Sequence, residues 1–170
     1  MLSLIIGGAG SGKSAFAEAL CCRLYRPRLY IATMLASDGE SLERIEKHRR
    51  QRSGLCFETL ECPVDLERAG ISEGSNALLE DLSNLLANEL FLPGGGGSDA
   101  VRRGLRKAGD RCGNLTVVTN EIFSDGGTYE HGTRIYLQEL AQLNRELALR
   151  ADLVVEVVCG LPNVLKGVLP

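Results

Sequence analysis

The chain has 170 residues, 44% apolar and 24% charged, with a formal net charge of −3. These values fit one globular domain, 1–170, and give no reason to expect nucleic acid or an anionic membrane as a partner. No stretch approaches the ~18–20 apolar residues of a spanning helix, so no membrane insertion is expected.

The N-terminus lacks a basic region before its apolar run, and no signal peptide is read. Six cysteines, Cys21, Cys22, Cys56, Cys62, Cys112 and Cys159, show no C-x-x-C spacing. They read as free thiols of a reducing cytosol, and a cytoplasmic protein is expected.

In chain order, Leu2-Ser3-Leu4-Ile5-Ile6 is short and apolar, as a buried parallel strand is. Gly7-Gly8-Ala9-Gly10-Ser11-Gly12-Lys13-Ser14 follows and fits G-x-x-x-x-G-K-[ST], the phosphate-binding P-loop. Ala15 to Leu20 is rich in helix formers. A strand, a glycine loop and a helix in that order are the context that gives the motif meaning.

Arg28 to Thr33 reads as a second strand, entered after Pro27. The polar segment Asp38 to Arg52 has only Leu42 and Ile45 as apolar positions, so a helix there stays mostly wet. Leu55 to Glu61 alternates like a half-exposed strand, and Asn76 to Asp81 is a short buried strand ending in two acids. A helix runs on to about Phe91. Pro93 and the run Gly94 to Gly97 predict a flexible loop.

A basic helix is read over Val101 to Asp110, a strand over Leu115 to Asn120, and a long helix from about Gly132 to Arg150. Asp152 to Val158 is the last predicted strand, and Gly160 to Lys166 closes the chain without an assigned element. Strands alternating with helices predict an α/β fold, a P-loop NTPase-like, mostly parallel sheet flanked by helices.

The chemistry follows from residue types. Glycines let the backbone approach phosphate, and successive N–H groups at a helix N-terminus form an anion nest. Lys13 is placed to reach the β- and γ-phosphates of a nucleoside triphosphate, ATP or GTP, and Ser14 to bind Mg²⁺. Glu80 and Asp81 end the strand where a Walker-B-like acid belongs. Adjacent strand residues point to opposite faces, so one of the two faces the nucleotide and the other suits a helix N-terminus.

His48 lies among Arg44, Lys47, Arg49, Arg50 and Arg52. Composition alone allows a solvated basic helix. An imidazole is also a nucleophile near neutral pH, and arginines beside it stabilise charge on a phosphoryl group. His131, in a polar stretch, reads as surface.

These pieces, in order and spacing, resemble the bifunctional adenosylcobinamide kinase/adenosylcobinamide-phosphate guanylyltransferase family of cobalamin biosynthesis. The resemblance is carried by the P-loop, Tyr30-Ile31-Ala32-Thr33, Arg44-Ile45, His48-Arg49 and Arg52. Thr59-Leu60-Glu61, Leu78-Leu79-Glu80, Val118-Thr119-Asn120-Glu121, Asn144 and Gly160-Leu161-Pro162 continue it.

The resemblance implies that the P-loop binds the nucleotide phosphates and that His48 carries GMP before passing it to the corrinoid phosphate. It places Thr33, Arg49, Arg52, Glu61 and Glu80 around the guanine nucleotide, and implies a homotrimer. This chain departs from the family pattern in having Arg52-Ser53 for Arg-Pro and Phe57 near a usual Trp. A further departure is the loop 122–129, where a Gly-x-Gly-Ile-Val-Pro loop is usual. Two other readings stay open here. One is a monofunctional P-loop kinase with His48 structural, and the other a nucleotide-binding regulator without turnover.

Overall fold

The protein is described from a computed structural model that covers all residues except Arg26, Ser37, Asp38, Asp125 and Gly126. The side chains of Glu40, Ser41, Arg44, Lys47, His48 and Gln51 also lie outside the described set. Alternating strands and helices follow one another as β1 (Leu2–Gly7), α1 (Lys13–Arg23), β2 (Arg28–Ala32), α2 (Gly39–Arg52) and β3 (Phe57–Glu61). A 3₁₀ turn at Leu66–Arg68 precedes β4 (Asn76–Glu80), α3 (Leu82–Phe91), α4 (Gly97–Arg111) and β5 (Asn114–Asn120). Then come α5 (His131–Arg150), β6 (Leu153–Val158) and β7 (Leu161–Lys166).

The strands form one seven-stranded sheet in the order β3-β2-β4-β5-β1-β6-β7. All neighbouring strands pair parallel except β6 and β7, which form an antiparallel hairpin. The α/β, mostly parallel sheet expected from the alternation is the observed fold.

Its core splits by the period-2 alternation of the strands. Leu4, Leu79, Val117 and Val154 face Leu82, Leu85 and Leu86 of α3, Val101 and Leu105 of α4, and Leu140 and Leu143 of α5. Ile5, Leu78, Val118 and Val155 face Ala17, Leu20 and Cys21 of α1. Parallel strands covered on both faces read as continuous apolar runs, which is why they were legible.

Two segments differ from expectation. The run Gly94 to Gly97 is a pinned connection rather than a flexible loop, and α4 starts at Gly97, four residues before the predicted Val101. Buried Glu89 of α3 accepts hydrogen bonds from the Asp65 N–H at 2.6 Å and the Gly96 N–H at 2.7 Å. Gly95 packs so closely on this helix that a Cβ there would collide with the Glu89 carbonyl. A glycine run suggests mobility, but a partner 24 residues away in sequence (Asp65 to Glu89) and tight packing remove it. The second difference is the terminal segment, which turns through Cys159 and Gly160, both at positive φ, into the exposed strand β7.

Glu89→Ala is expected to lower the unfolding free energy by about 2–4 kcal/mol, the penalty of two backbone N–H groups left unpaired. Urea denaturation reads this directly, and an unchanged midpoint would show that the carboxylate does not pin the connection.

Candidate active site

The site starts where β1 ends. Gly7 leaves the sheet so close to the returning loop that a Cβ would collide with Ser11 Oγ and lie 2.8 Å from the Val157 carbonyl. Gly12, at φ 89°, occupies the left-handed region a side chain rarely adopts and caps α1. The Ser11 N–H bonds the Gly8 carbonyl at 3.2 Å, and the Gly160 N–H bonds the Ser11 carbonyl at 2.8 Å. The β6–β7 turn thus braces the P-loop from behind. Lys13, 8% exposed, folds over the loop with Nζ 3.1 Å from the Gly8 carbonyl.

The acid faces the loop from β4. Ser14 Oγ donates to Glu80 Oε1 at 2.6 Å, while Glu80 Oε2 is buried with no partner among the described residues. Burial first, then the neighbouring Asp81, pushes the Glu80 carboxyl up to about 8, against the Ser14 hydrogen bond and the Lys13 charge. Asp81 lines the cleft beside Glu80 and also serves the next helix. Its Oδ1 accepts the Asn84 N–H at 2.7 Å as the N-cap of α3, and its Oδ2 accepts from Asn120 at 3.2 Å. Both acids therefore border the cleft, where only one was expected to: Asp81 lies past the end of β4, beyond the reach of strand alternation, and in addition caps α3.

Thr33 is fully buried and does not line the cleft. Its hydroxyl accepts from the Asp81 N–H at 2.8 Å and lies 3.0 and 2.9 Å from the carbonyls of Glu80 and Asp81. It fastens the end of β4, and so places Glu80.

A cleft of about 330 Å³ opens over these groups. Of the residues singled out in the sequence, Ala9, Gly10, Gly12, Lys13, Ser14, Arg49, Arg52, Glu61, Glu80 and Asp81 line it. Gly7, Gly8 and Ser11 form the back of the loop rather than the lining. Arg49 and Glu61 pair at 3.1 Å but are both more than half exposed, so the pair is weak and easily exchanged for a ligand. Position 48 belongs to α2, but the His48 side chain lies outside the described residues. His131 is the exposed first residue of α5 and does not line the cleft.

The structure adds Tyr30, Met34, Ile45, Asn84 and Asn120 to the lining. Met34 and Asn120 lie at or just past strand carboxyl ends, the signal by which such residues can be found, while Tyr30 sits in the middle of β2. Ile45 and Asn84 carried no such signal, since their place depends on how α2 and α3 sit. The geometry is a preorganised anion loop beside a lysine, a hydroxyl and a buried carboxylate, which suits binding and transfer of a phosphoryl-bearing ligand.

A family model described as cobinamide kinase / cobinamide phosphate guanyltransferase matches residues 3–165. The chain is 35% identical over 171 residues to the bifunctional adenosylcobalamin biosynthesis protein CobP of Pseudomonas aeruginosa, covering 98% of both chains. It is 33% identical to the bifunctional proteins named CobU of Salmonella typhimurium and of Escherichia coli. Each of those matches covers 95% of this chain and 97% of the relative. Among solved structures, the P4 protein from bacteriophage phi6 in complex with ADP aligns with a TM-score of 0.46 at 14% identity. That alignment covers 96% of this chain and 52% of that one, and is too distant to carry an argument. The family match and the relatives, spanning nearly the full chain, show that it belongs to the cobinamide kinase / cobinamide phosphate guanyltransferase family of enzymes.

Proposed function

We propose that the chain phosphorylates adenosylcobinamide with ATP or GTP and then transfers GMP from GTP to the new phosphate through a guanylyl-His48 intermediate. The product is adenosylcobinamide-GDP. The observation that carries this reading is the Lys13–Ser14–Glu80 constellation over the P-loop, roofed by the helix that bears position 48.

In the first reaction the substrate hydroxyl attacks the γ-phosphorus, loses its proton, and the nucleoside diphosphate leaves. The P-loop N–H groups and Lys13 hold the phosphates in line and take up charge. In the second, an imidazole nitrogen of His48 attacks the α-phosphorus of GTP and pyrophosphate leaves. A phosphate oxygen of the corrinoid then attacks the phosphoramidate phosphorus and frees the imidazole. Arg49 and Arg52, on the cleft wall, are placed to balance charge on the nucleotide, with Glu61 beside them.

Mg²⁺ fits this site. The unpartnered Glu80 Oε2 and the Ser14 hydroxyl form an oxygen donor set of the kind hard cations take, directly or through water. Bound there, the ion would neutralise phosphate charge.

A homotrimer belongs to the same reading. It is supported by the outer edge of the sheet, where Val158, Leu161, Leu165 and Val168 are 53%, 72%, 58% and 85% exposed. The free thiols of all six cysteines support a reducing compartment, the cytoplasm.

Incubation with α-labelled GTP tests the guanylyl step. Wild type should take up an acid-labile, alkali-stable label; His48→Ala should not, while still phosphorylating the corrinoid. Lys13→Ala should lose both reactions and bind nucleotide roughly 10- to 100-fold more weakly, the worth of one charge-assisted contact. A label on His48→Ala would sink the assignment of the nucleophile.

The displaced acidity of Glu80 has a consequence for stability. Between its ordinary value of 4.5 and about 8, the folded protein keeps a proton that the unfolded chain has released. The contribution of this group therefore falls as pH rises through that window and levels off above it. Melting curves without metal or nucleotide should show Glu80→Gln gaining on wild type from pH 5 to pH 8. A constant difference would mean that the carboxyl titrates normally.

For the trimer, sedimentation equilibrium at micromolar protein should give three times the chain mass, and Leu161→Asp should lower it. A wild-type protein that sediments as a single chain would refute the trimer.

A further inference from the structure

One aromatic ring in the wall of the cleft carries a cation flat on its face. Tyr30 is 3% exposed and stands in β2, between Thr59 of β3 and Leu78 of β4. Phe57 meets its ring in a T-shaped contact, at 79° with the centroids 6.1 Å apart. Held by the sheet and by Phe57, the ring is a fixed platform. The guanidinium carbon of Arg52, in the last turn of α2, lies 3.4 Å from the ring centre.

Arg52 is 8% exposed, and the ring is its one described side-chain partner. Among the described residues its guanidinium makes no hydrogen bond or ion pair, and its Nη1 is buried without a partner. The helix offers it little packing. Of the other described side chains of α2, Ile45 is half-buried and the rest are exposed.

Stacking uses the face of a guanidinium and leaves its N–H edge unsatisfied. That charge cannot be shed on burial, and a buried donor needs an acceptor. Tyr30 and Arg52 line the same cleft as Gly10, Gly12 and Lys13 of the P-loop. The acceptor missing from this edge is therefore supplied by the kind of anion the loop is built to hold.

We propose that Tyr30 is a positioning residue for the nucleotide: its ring holds the Arg52 guanidinium flat, with Nη1 toward a phosphate oxygen of the bound triphosphate. Tyr30 touches no reacting atom. The inference rests on the reading of the P-loop as the nucleotide site, and not on the guanylyl-histidine step.

The test measures the dissociation constant of GTP and, by competition with it, that of inorganic tripolyphosphate, which has phosphates and no base. Arg52→Lys keeps a charge but loses the plane that stacks and the second donor. It should weaken both ligands roughly tenfold, the worth of one charge-assisted contact. Tyr30→Leu keeps Arg52 and removes the platform, and its loss should match that of Arg52→Lys within threefold. Tyr30→Phe keeps the ring and should bind both ligands within threefold of wild type. The double variant Tyr30→Leu/Arg52→Lys should lose less than a further twofold, since ring and cation act as one unit. Where Tyr30→Leu does not fold, Tyr30→Met fills the space without a ring and gives the same comparison.

A ring that only filled the core would lower the melting temperature of Tyr30→Leu and leave the affinity of the folded protein unchanged. Affinity within twofold of wild type in Tyr30→Leu or in Arg52→Lys, or a double variant whose losses multiply, overturns the proposal. So does a loss for GTP that tripolyphosphate does not share, because the donor would then serve the base. If Lys13→Ala binds GTP as wild type does, the P-loop reading itself has failed. The comparison of Tyr30→Leu with Tyr30→Phe still decides whether the ring positions Arg52.

Discussion

A half-buried carboxyl group between the P-loop and the sheet sets the character of this molecule. Glu80 reaches Ser14 across 66 residues of sequence, and that hydrogen bond joins the phosphate-binding loop to a second strand. The strand is fixed in turn by the Thr33 hydroxyl, and the next residue, Asp81, starts α3 as its N-cap. A shift of any one of these moves the acid relative to the lysine. An ångström matters there, because charge interactions between half-buried groups are less screened than in open water.

The two walls of the cleft are built to different standards. The P-loop side is rigid, with backbone bonds within the loop and the Gly160 brace behind it. The α2 side is a polar helix with one buried arginine and a surface ion pair to β3. A pair of reactions that use one triphosphate at its γ end and a second at its α end is suited by one fixed wall and one adjustable wall. In the proposed reading the P-loop wall would hold the phosphates in both steps, and α2 would carry the second nucleophile.

Support away from the cleft follows the same logic. Glu89 ties the start of α4 and the residue before the 3₁₀ turn to α3, and a Cβ at Gly104 of α4 would press on Leu66 of that turn at 2.7 Å. Arg102 draws Glu139 and Glu146 of α5 to α4, at 3.2 and 3.1 Å. The layer behind the sheet is thereby held as a unit, and the carboxyl ends of β1, β4 and β5 keep their spacing.

Much of this was readable in the chain, because it depends on neighbours. The P-loop, the buried strands and the alternation that implies a parallel sheet all follow from residues within a few positions of one another. The family resemblance was readable as well, being a matter of order and spacing. Tertiary structure alone decided the rest. The glycine run is pinned by Glu89, Thr33 serves the strand end rather than the cleft, and the tail becomes β7. Each of these joins groups far apart in sequence, and a buried donor or charge takes whichever partner the packing brings within reach.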